Sequence, residues 1–276
     1  MFKLNKSGEN VLYSFTGKPD GEAPAAGLTM DASGNLYGTT SVGGSSDAGT
    51  VYKVDSTGKE TVLYSFTGGT DGAYPYGDLV RDGVGNLYGT TEYGGSSNQG
   101  TVFRVNANGE ESVLYSFTGG ADGGSPLAGL VRDQEGNLYG TTFYGGSGNG
   151  VVFKLGPRGR ETVLHRFTGP PDGRLPGAGL LRDSSGNLYG TTEEGGDSNC
   201  LEGFGCGTIF KVDTKGKETV LYRFTGFPDG ELPLAALIMD TSGNLYGTTG
   251  YGGYSNSPCT DGSHISGCGV VFKLTP

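Results

Sequence analysis

Long apolar runs are absent. No stretch of the 276 residues approaches the roughly 18 apolar residues of a membrane-spanning helix, so membrane insertion is not expected. Basic residues are scarce: 19 Lys and Arg stand against 29 Asp and Glu, a net charge of −10. Nucleic acid and anionic membrane surfaces need clustered cations, so neither is an expected partner. Histidine occurs twice, as His165 and His264, and neither has a Ser or Cys partner placed for a nucleophilic triad. Proline is limited to 12 and glycine follows no three-residue period, which excludes a collagen-like chain. The opening Met1-Phe2-Lys3-Leu4 has no apolar signal-peptide core. It begins inside a repeat, as a fragment or truncated reading frame would, and so says little about compartment.

Glycine is plentiful, with 56 residues, and it recurs with Asn, Asp and Ser between β-branched and aromatic runs. That alternation marks many tight turns between short strands. The string Gly-Asn-Leu-Tyr-Gly-Thr-Thr occurs five times, beginning at Gly34, Gly85, Gly136, Gly186 and Gly243, at spacings of 51, 51, 50 and 57. Each repeat carries four segments of strand length, called a to d here. In the third repeat they are Gly129–Asp133, Asn137–Thr142, Val151–Leu155 and Val163–Phe167. None has helical length or a 3.6-residue period. The a–b and c–d links are short turns, in which Gly or Asn supplies positive φ and Asp accepts backbone N–H bonds. The d–a and b–c links are longer.

Four antiparallel strands in about 50 residues, repeated, predict an all-β fold: a five-bladed β-propeller of four-stranded blades, as one domain over 1–276. Segment c occurs six times, because Met1-Phe2-Lys3-Leu4 matches Val271-Phe272-Lys273-Leu274. The last blade is therefore expected to be shared between 234–276 and 1–16, the two ends closing the ring and removing open edges. Propeller wiring puts the d–a and b–c loops on one face, where ligands bind on such scaffolds.

These segments resemble the Gloeo-Verruco family of tandem-repeat bacterial proteins. The likeness rests on Gly-Thr-Val-Phe-Lys-Val, Glu-Thr-Val-Leu-Tyr-Ser-Phe, Asp-Gly-x-x-Pro, Gly-Leu-x-x-Asp and Gly-Asn-Leu-Tyr-Gly-Thr-Thr, and it covers the whole chain. The resemblance implies a secreted or surface protein with a signal peptide and often a C-terminal anchor, neither of which this sequence shows. It implies no catalytic residue.

The four cysteines, Cys200, Cys206, Cys259 and Cys268, fall in the enlarged b–c loops of the last two repeats. One pair per loop predicts Cys200–Cys206 and Cys259–Cys268 disulfides and an extracellular or cell-envelope location. Five or eight intervening residues fit a zinc site poorly, so no metal is expected. The Gly-Gly pairs precede neither a helix nor a Lys, so they cradle no phosphate, and no cofactor is expected.

A residue found in every repeat holds the blade sooner than it acts on a substrate. Asp31, Asp82, Asp133, Asp183 and Asp240 are read as caps of the a–b turns. The Asp-Gly pairs are read as turns on the ligand face, with Asp71, Asp122, Asp172 and Asp229 also candidate ligand contacts. Asp78 breaks the symmetry of segment a, where other repeats have Gly or Ala. Glu193, Glu194 and Asp197 make one b–c loop acidic. Tyr74, Tyr76, Tyr93, Phe143, Tyr144, Tyr251 and Tyr254 would offer ring faces beside amides and carboxylates, a surface suited to sugars. The candidate ligand residues are thus Asp71, Tyr76, Asp78, Tyr93, Asp122, Tyr144, Asp172, Glu194, Asp229 and Tyr251. The expectation is a monomeric, non-enzymatic binding or scaffold module for a surface glycan or protein. The alternatives are a lectin-like propeller and a glycosidase-like one, the latter requiring a facing carboxylate pair.

Overall fold

The Asp that ends segment a organises each repeat. In the computed structural model, which describes residues 1–5, 8–253 and 267–276, Asp133 Oδ1 accepts the Asn137 backbone N–H at 2.8 Å. Its Oδ2 accepts the Asn137 side-chain amide at 2.7 Å and the Tyr139 hydroxyl at 2.9 Å. Asp31, Asp82, Asp183 and Asp240 bind the matching Asn and Tyr of their own repeats. The a–b turn is therefore locked by a carboxylate, as the sequence predicts.

Every described strand pairing is antiparallel. The chain divides into two compact units, Met1–Thr118 with Leu127–Leu130, and Gly119–Pro126 with Val131–Pro276. The first holds a hairpin of Phe2–Asn5 with Gly8–Val11 and two four-stranded sheets. One runs Thr29–Met30, Leu36–Thr40, Thr50–Val54, Glu60–Ser65; the other runs Val80–Arg81, Leu87–Thr91, Thr101–Val105, Glu111–Ser116. The second unit has four-stranded sheets of Val131–Arg132, Leu138–Thr142, Val151–Leu155, Glu161–Arg166 and of Leu181–Arg182, Leu188–Thr192, Thr208–Val212, Glu218–Arg223. A three-stranded sheet of Ile238–Met239, Leu245–Thr248 and Val271–Leu274 follows them. Segment a is shorter than expected, with two residues in each ladder. The first residues are a c segment paired to the first d segment, Phe2 opposite Val11 and Lys3 opposite Asn10.

Each c–d pairing in the four-stranded sheets contains a register shift, as between Val113 and Tyr115 opposite Phe103 and Val102. The bulge leaves one extra residue in segment d and bends the outer strand.

Within each unit, consecutive sheets pack through aromatic pairs. The Phe that ends segment d lies edge-on to the ring in the next segment c: Phe66 on Phe103 at 5.0 Å, Phe167 on Phe210 at 5.1 Å, Phe224 on Phe272 at 5.2 Å. Phe66, Phe103, Phe167 and Phe210 are fully buried, and each such ring contributes roughly 2–3 kcal/mol of burial. The Gly of Leu-Tyr-Gly makes room for that ring. A Cβ on Gly89 would lie 2.6 Å from Phe103 Cζ. The first Thr of Gly-Thr-Thr adds a side-chain bond within each unit: Thr90 Oγ1 donates to Ala128 O at 2.8 Å in the first, and Thr141 to Ala178 O and Thr191 to Ala235 O at 3.4 Å in the second.

Candidate functional site

The second Thr and the Asp-Gly pair build the loop face. Thr142 Oγ1 donates to Tyr144 O at 2.8 Å, and a Cβ on Gly123 would fall within 2.3 Å of that hydroxyl. Gly123 also sits at φ +98°, so only glycine fits. The d–a and b–c loops of one repeat thereby come into register and pair through short antiparallel bridges. These are Glu22 with Val42, Ala73 with Tyr93, Gly124 with Tyr144, Arg174 with Glu194, and Glu231 with Tyr251. Four of the predicted ligand residues, Tyr93, Tyr144, Glu194 and Tyr251, thus occupy one repeated position. Tyr93 and Tyr144 are 41% and 50% exposed, ring faces outward enough for a ligand.

The Asp of each Asp-Gly pair turns inward. Asp71 accepts from the Tyr64 hydroxyl at 2.9 Å and from Thr67, Asp229 from Tyr222 and Thr225, and Asp172 from Thr168 beside His165. Burial alone would raise the Asp71 and Asp172 carboxyls, but these donors outweigh it and hold both below the ordinary value. Asp122 stands at the same place in the third repeat, and its charge reaches Glu161. These carboxylates serve the loop. Asp78 Oδ1 accepts the Gly27 N–H of the neighbouring sheet, while Thr29 donates to Leu79 O beside it. Tyr76, 39% exposed, lies in the same d–a segment.

One concavity lies where the repeat is broken. In the second unit the enlarged b–c loop closes on the Cys200–Cys206 disulfide, as the sequence predicts; Cys259, His264 and Tyr254 lie outside the described residues. Beside the disulfide is a cavity of about 510 Å³, open to solvent, whose walls include Phe204, Phe227 and Leu232. Glu194, Asn199, Glu202 and Thr225 supply its polar groups. Phe204 and Phe227 are 52% and 59% exposed, large apolar surface in full view of water. Arg174 pairs with Glu194 at 3.2 Å and lies 5.0 Å over the Phe204 ring, which fixes one wall. Leu201 and Glu202 both have left-handed φ, 48° and 54°, a conformation that costs a non-glycine residue roughly 1–3 kcal/mol.

From sequence, Glu92 drew no notice and Glu193 stood out only as part of an acidic loop. Glu92 and Glu193 follow the Gly-Thr-Thr motif in their repeats. Burial raises both carboxyls, with Glu194 adding to the effect at Glu193, whose pKa is about 7. Their signal was departure from the Ser, Phe and Gly found there in the other repeats. Among the described residues no helix is long and apolar enough to cross a membrane.

Short four-stranded antiparallel sheets joined in tandem, their long loops gathered at one end of each sheet, define an all-β repeat protein of propeller-like build. The sequence matches the Gloeobacter/Verrucomicrobia repeat over residues 1–149 and 120–276, and the chain belongs to that family. No curated protein matches it. Among solved structures it is similar to the luciferin-regenerating enzyme, at 15% identity, TM-score 0.50, over 93% of this chain and 92% of that one. It is also similar to the extracellular domain of a one-component system from B. thetaiotaomicron, at 12% identity and TM-score 0.53, over 82% of this chain and 26% of that one. A protein described as a candidate gluconolactonase matches at 18% identity and TM-score 0.47, over 82% and 71% of the two chains. At these identities the likeness concerns the fold.

Proposed function

We propose that this chain is a secreted or cell-surface binding module that takes a carbohydrate on the face made by its d–a and b–c loops. The disulfide-closed cavity of the fourth repeat is its principal subsite. One observation carries the reading: the loop that departs from the repeat bears two exposed aromatic rings across a cavity edged by carboxylate, amide and hydroxyl groups. Rings offer a stacking surface for sugar C–H faces, and the polar groups match hydroxyls. The strained Leu201 and Glu202 point the same way, since backbone strain concentrates at binding sites. Tyr93, Tyr144 and Tyr251 each put an aromatic ring at the matching loop bridge of their own repeat. The disulfide supports an oxidising location.

A glycan array probed with wild-type protein and with Phe204→Ala and Phe227→Ala tests this. Both rings are exposed, so the variants should fold. Binding to a defined saccharide class, lost in both variants, is expected; no bound glycan, or binding indifferent to both changes, sinks the proposal. A hydrolytic reading draws on Glu193, near-neutral in pKa and beside Glu194, as an acid next to a carboxylate. Turnover of a bound glycan, abolished by Glu193→Gln, would replace binding with hydrolysis. We also propose that the five repeats form five blades closed by the chain ends.

A further inference from the structure

The d segments end in a repeated polar contact with one exception. In the first, second and fifth copies of segment d, the hydroxyls of Tyr13, Tyr64 and Tyr222 donate to the Asp of the following Asp-Gly pair. In the fourth copy the donor is His165, whose Nε2 lies 3.1 Å from Asp172 Oδ2. The next sheet brings a second carboxylate to the same place. Glu218 opens its d strand, and donor atoms of His165, Asp172 and Glu218 all lie within 4.8 Å of one another. The Oε1 atom of Glu218 is buried with no hydrogen-bond partner, as are those of Glu60, Glu111 and Glu161 at the matching position; the imidazole of His165 is what distinguishes this place. A carboxylate oxygen withheld from water and from donors is a cost that some cation or proton must offset.

We infer that His165, Asp172 and Glu218 form a binding site for a first-row divalent cation of the zinc class, with one position left for water. One imidazole and two carboxylates are a donor set that Zn²⁺ accepts at an open site. The supporting contacts are those a metal site requires. Thr168 N–H and Gly173 N–H hold the Asp172 carboxylate at 3.0 and 2.7 Å. The Phe167 ring sits edge-on to the imidazole at 4.8 Å and fixes its plane. The side chains of His165 and Asp172 are 19% and 16% exposed, so water reaches the site without flooding it. Arg223 is the cation whose field also reaches Glu218, while its Nε donates to Pro171 O. Two carboxylates against one guanidinium leave the site net negative, which favours a dication. Cation entry requires only that Nε2 give up its contact with Asp172 in favour of the metal, which both then share.

The repeat supplies its own control. His165→Tyr installs the residue that four other d segments already carry, so the variant keeps the hydroxyl-to-carboxylate bond and should fold. Chelator-stripped full-length protein is titrated with Zn²⁺ by calorimetry, with Ca²⁺ as the oxygen-seeking comparison, and Co²⁺ loading is followed by its visible d–d bands. One Zn²⁺ per chain is expected, weakened at least about tenfold in His165→Tyr and in Glu218→Gln, a loss typical of removing a ligand or its support. Wild-type d–d bands characteristic of a mixed imidazole–carboxylate site should vanish in both variants. Absence of stoichiometric Zn²⁺ binding by the wild type, or Zn²⁺ binding that both variants retain, overturns the assignment.

Discussion

Asp133 shows how one side chain can set a repeat. It is 6% exposed and accepts three hydrogen bonds that close the a–b turn. Asp133→Ala strands two N–H donors and a tyrosine hydroxyl in partly buried surroundings, which should cost about 3 kcal/mol. Urea unfolding should show a lower midpoint at unchanged slope, and a change under about 1 kcal/mol would contradict the role given to the carboxylate. Glu111 behaves in the opposite sense. Burial, with the charge of Asp71, lifts its pKa from 4.5 to about 7. Between those values the folded chain holds a proton that the unfolded chain has released, so stability falls as pH rises through the window. Glu161, raised to about 6 for the same first cause, adds to this slope. Glu111→Gln should flatten the decline in melting temperature between pH 5 and pH 8 and make the variant the more stable protein at pH 8. An unchanged slope would show that Glu111 ionises freely. Asp31 acts at the other end of the scale. The amide of Asn35 leads the contacts that hold its carboxyl at about 2, so its stabilisation is present above pH 3.8 and lost as pH falls toward 2.

Elements were legible to the extent that their chemistry repeats. Segments b and c were readable to within a residue because Leu-Tyr-Gly-Thr-Thr and Val-Val-Phe-Lys-Leu are strand-forming runs bounded by turn residues, and the Asp caps followed from the turn sequence. The bulge in segment d was not readable, because Leu63, Leu114, Leu164 and Leu221 look like ordinary strand residues and only the partner's register shows the extra one. Nor were the left-handed residues before proline, such as Tyr74 and Ser125, at φ 57° and 53°. Residues preceding proline favour extended backbone, and here loop–loop hydrogen bonds override that preference. The candidate site divides the same way. The disulfide and Glu194 were visible as departures from the repeat, whereas Phe204 and Phe227 became meaningful only when the folded loop set them across one cavity. That loop makes its own prediction. A bridge across six residues of separation contributes about 2 kcal/mol by restricting the open loop. Cys200→Ser with Cys206→Ser should leave the far-ultraviolet spectrum of the sheets intact while weakening ligand binding, because Phe204 loses its fixed position. Full binding by the double variant would place the ligand elsewhere.

At the scale of the whole molecule, the question is where a sixth c segment goes when only five d segments exist. The hairpin at the start places Lys3 opposite Asn10. The last sheet ends on Val271–Leu274, whose Val271 is 83% exposed. Beside that strand lies a recess of about 400 Å³, whose lining includes the rings of Tyr222, Phe224 and Phe272 together with Asp229 and Lys273. A strand at the end of its sheet, with backbone groups free to pair on one side, favours addition of another strand. In the complete sheets the residue equivalent to Lys273 is Lys53, and its partner is Thr61, which corresponds to Asn10. Under the proposed closure, Asn10 therefore takes Lys273 as its partner and releases Lys3. With Asn10→Cys and Lys273→Cys introduced together, oxidation should yield a monomer that carries a new internal disulfide, detected by mass spectrometry of non-reduced digests. Asn10→Cys with Lys3→Cys should then cross-link poorly. The reverse pattern keeps the first hairpin as it stands and removes the closure. Covalent dimers from the first pair would mean instead that the open edge receives the d segment of a second copy, and the repeats would then extend an array where a five-bladed ring was proposed.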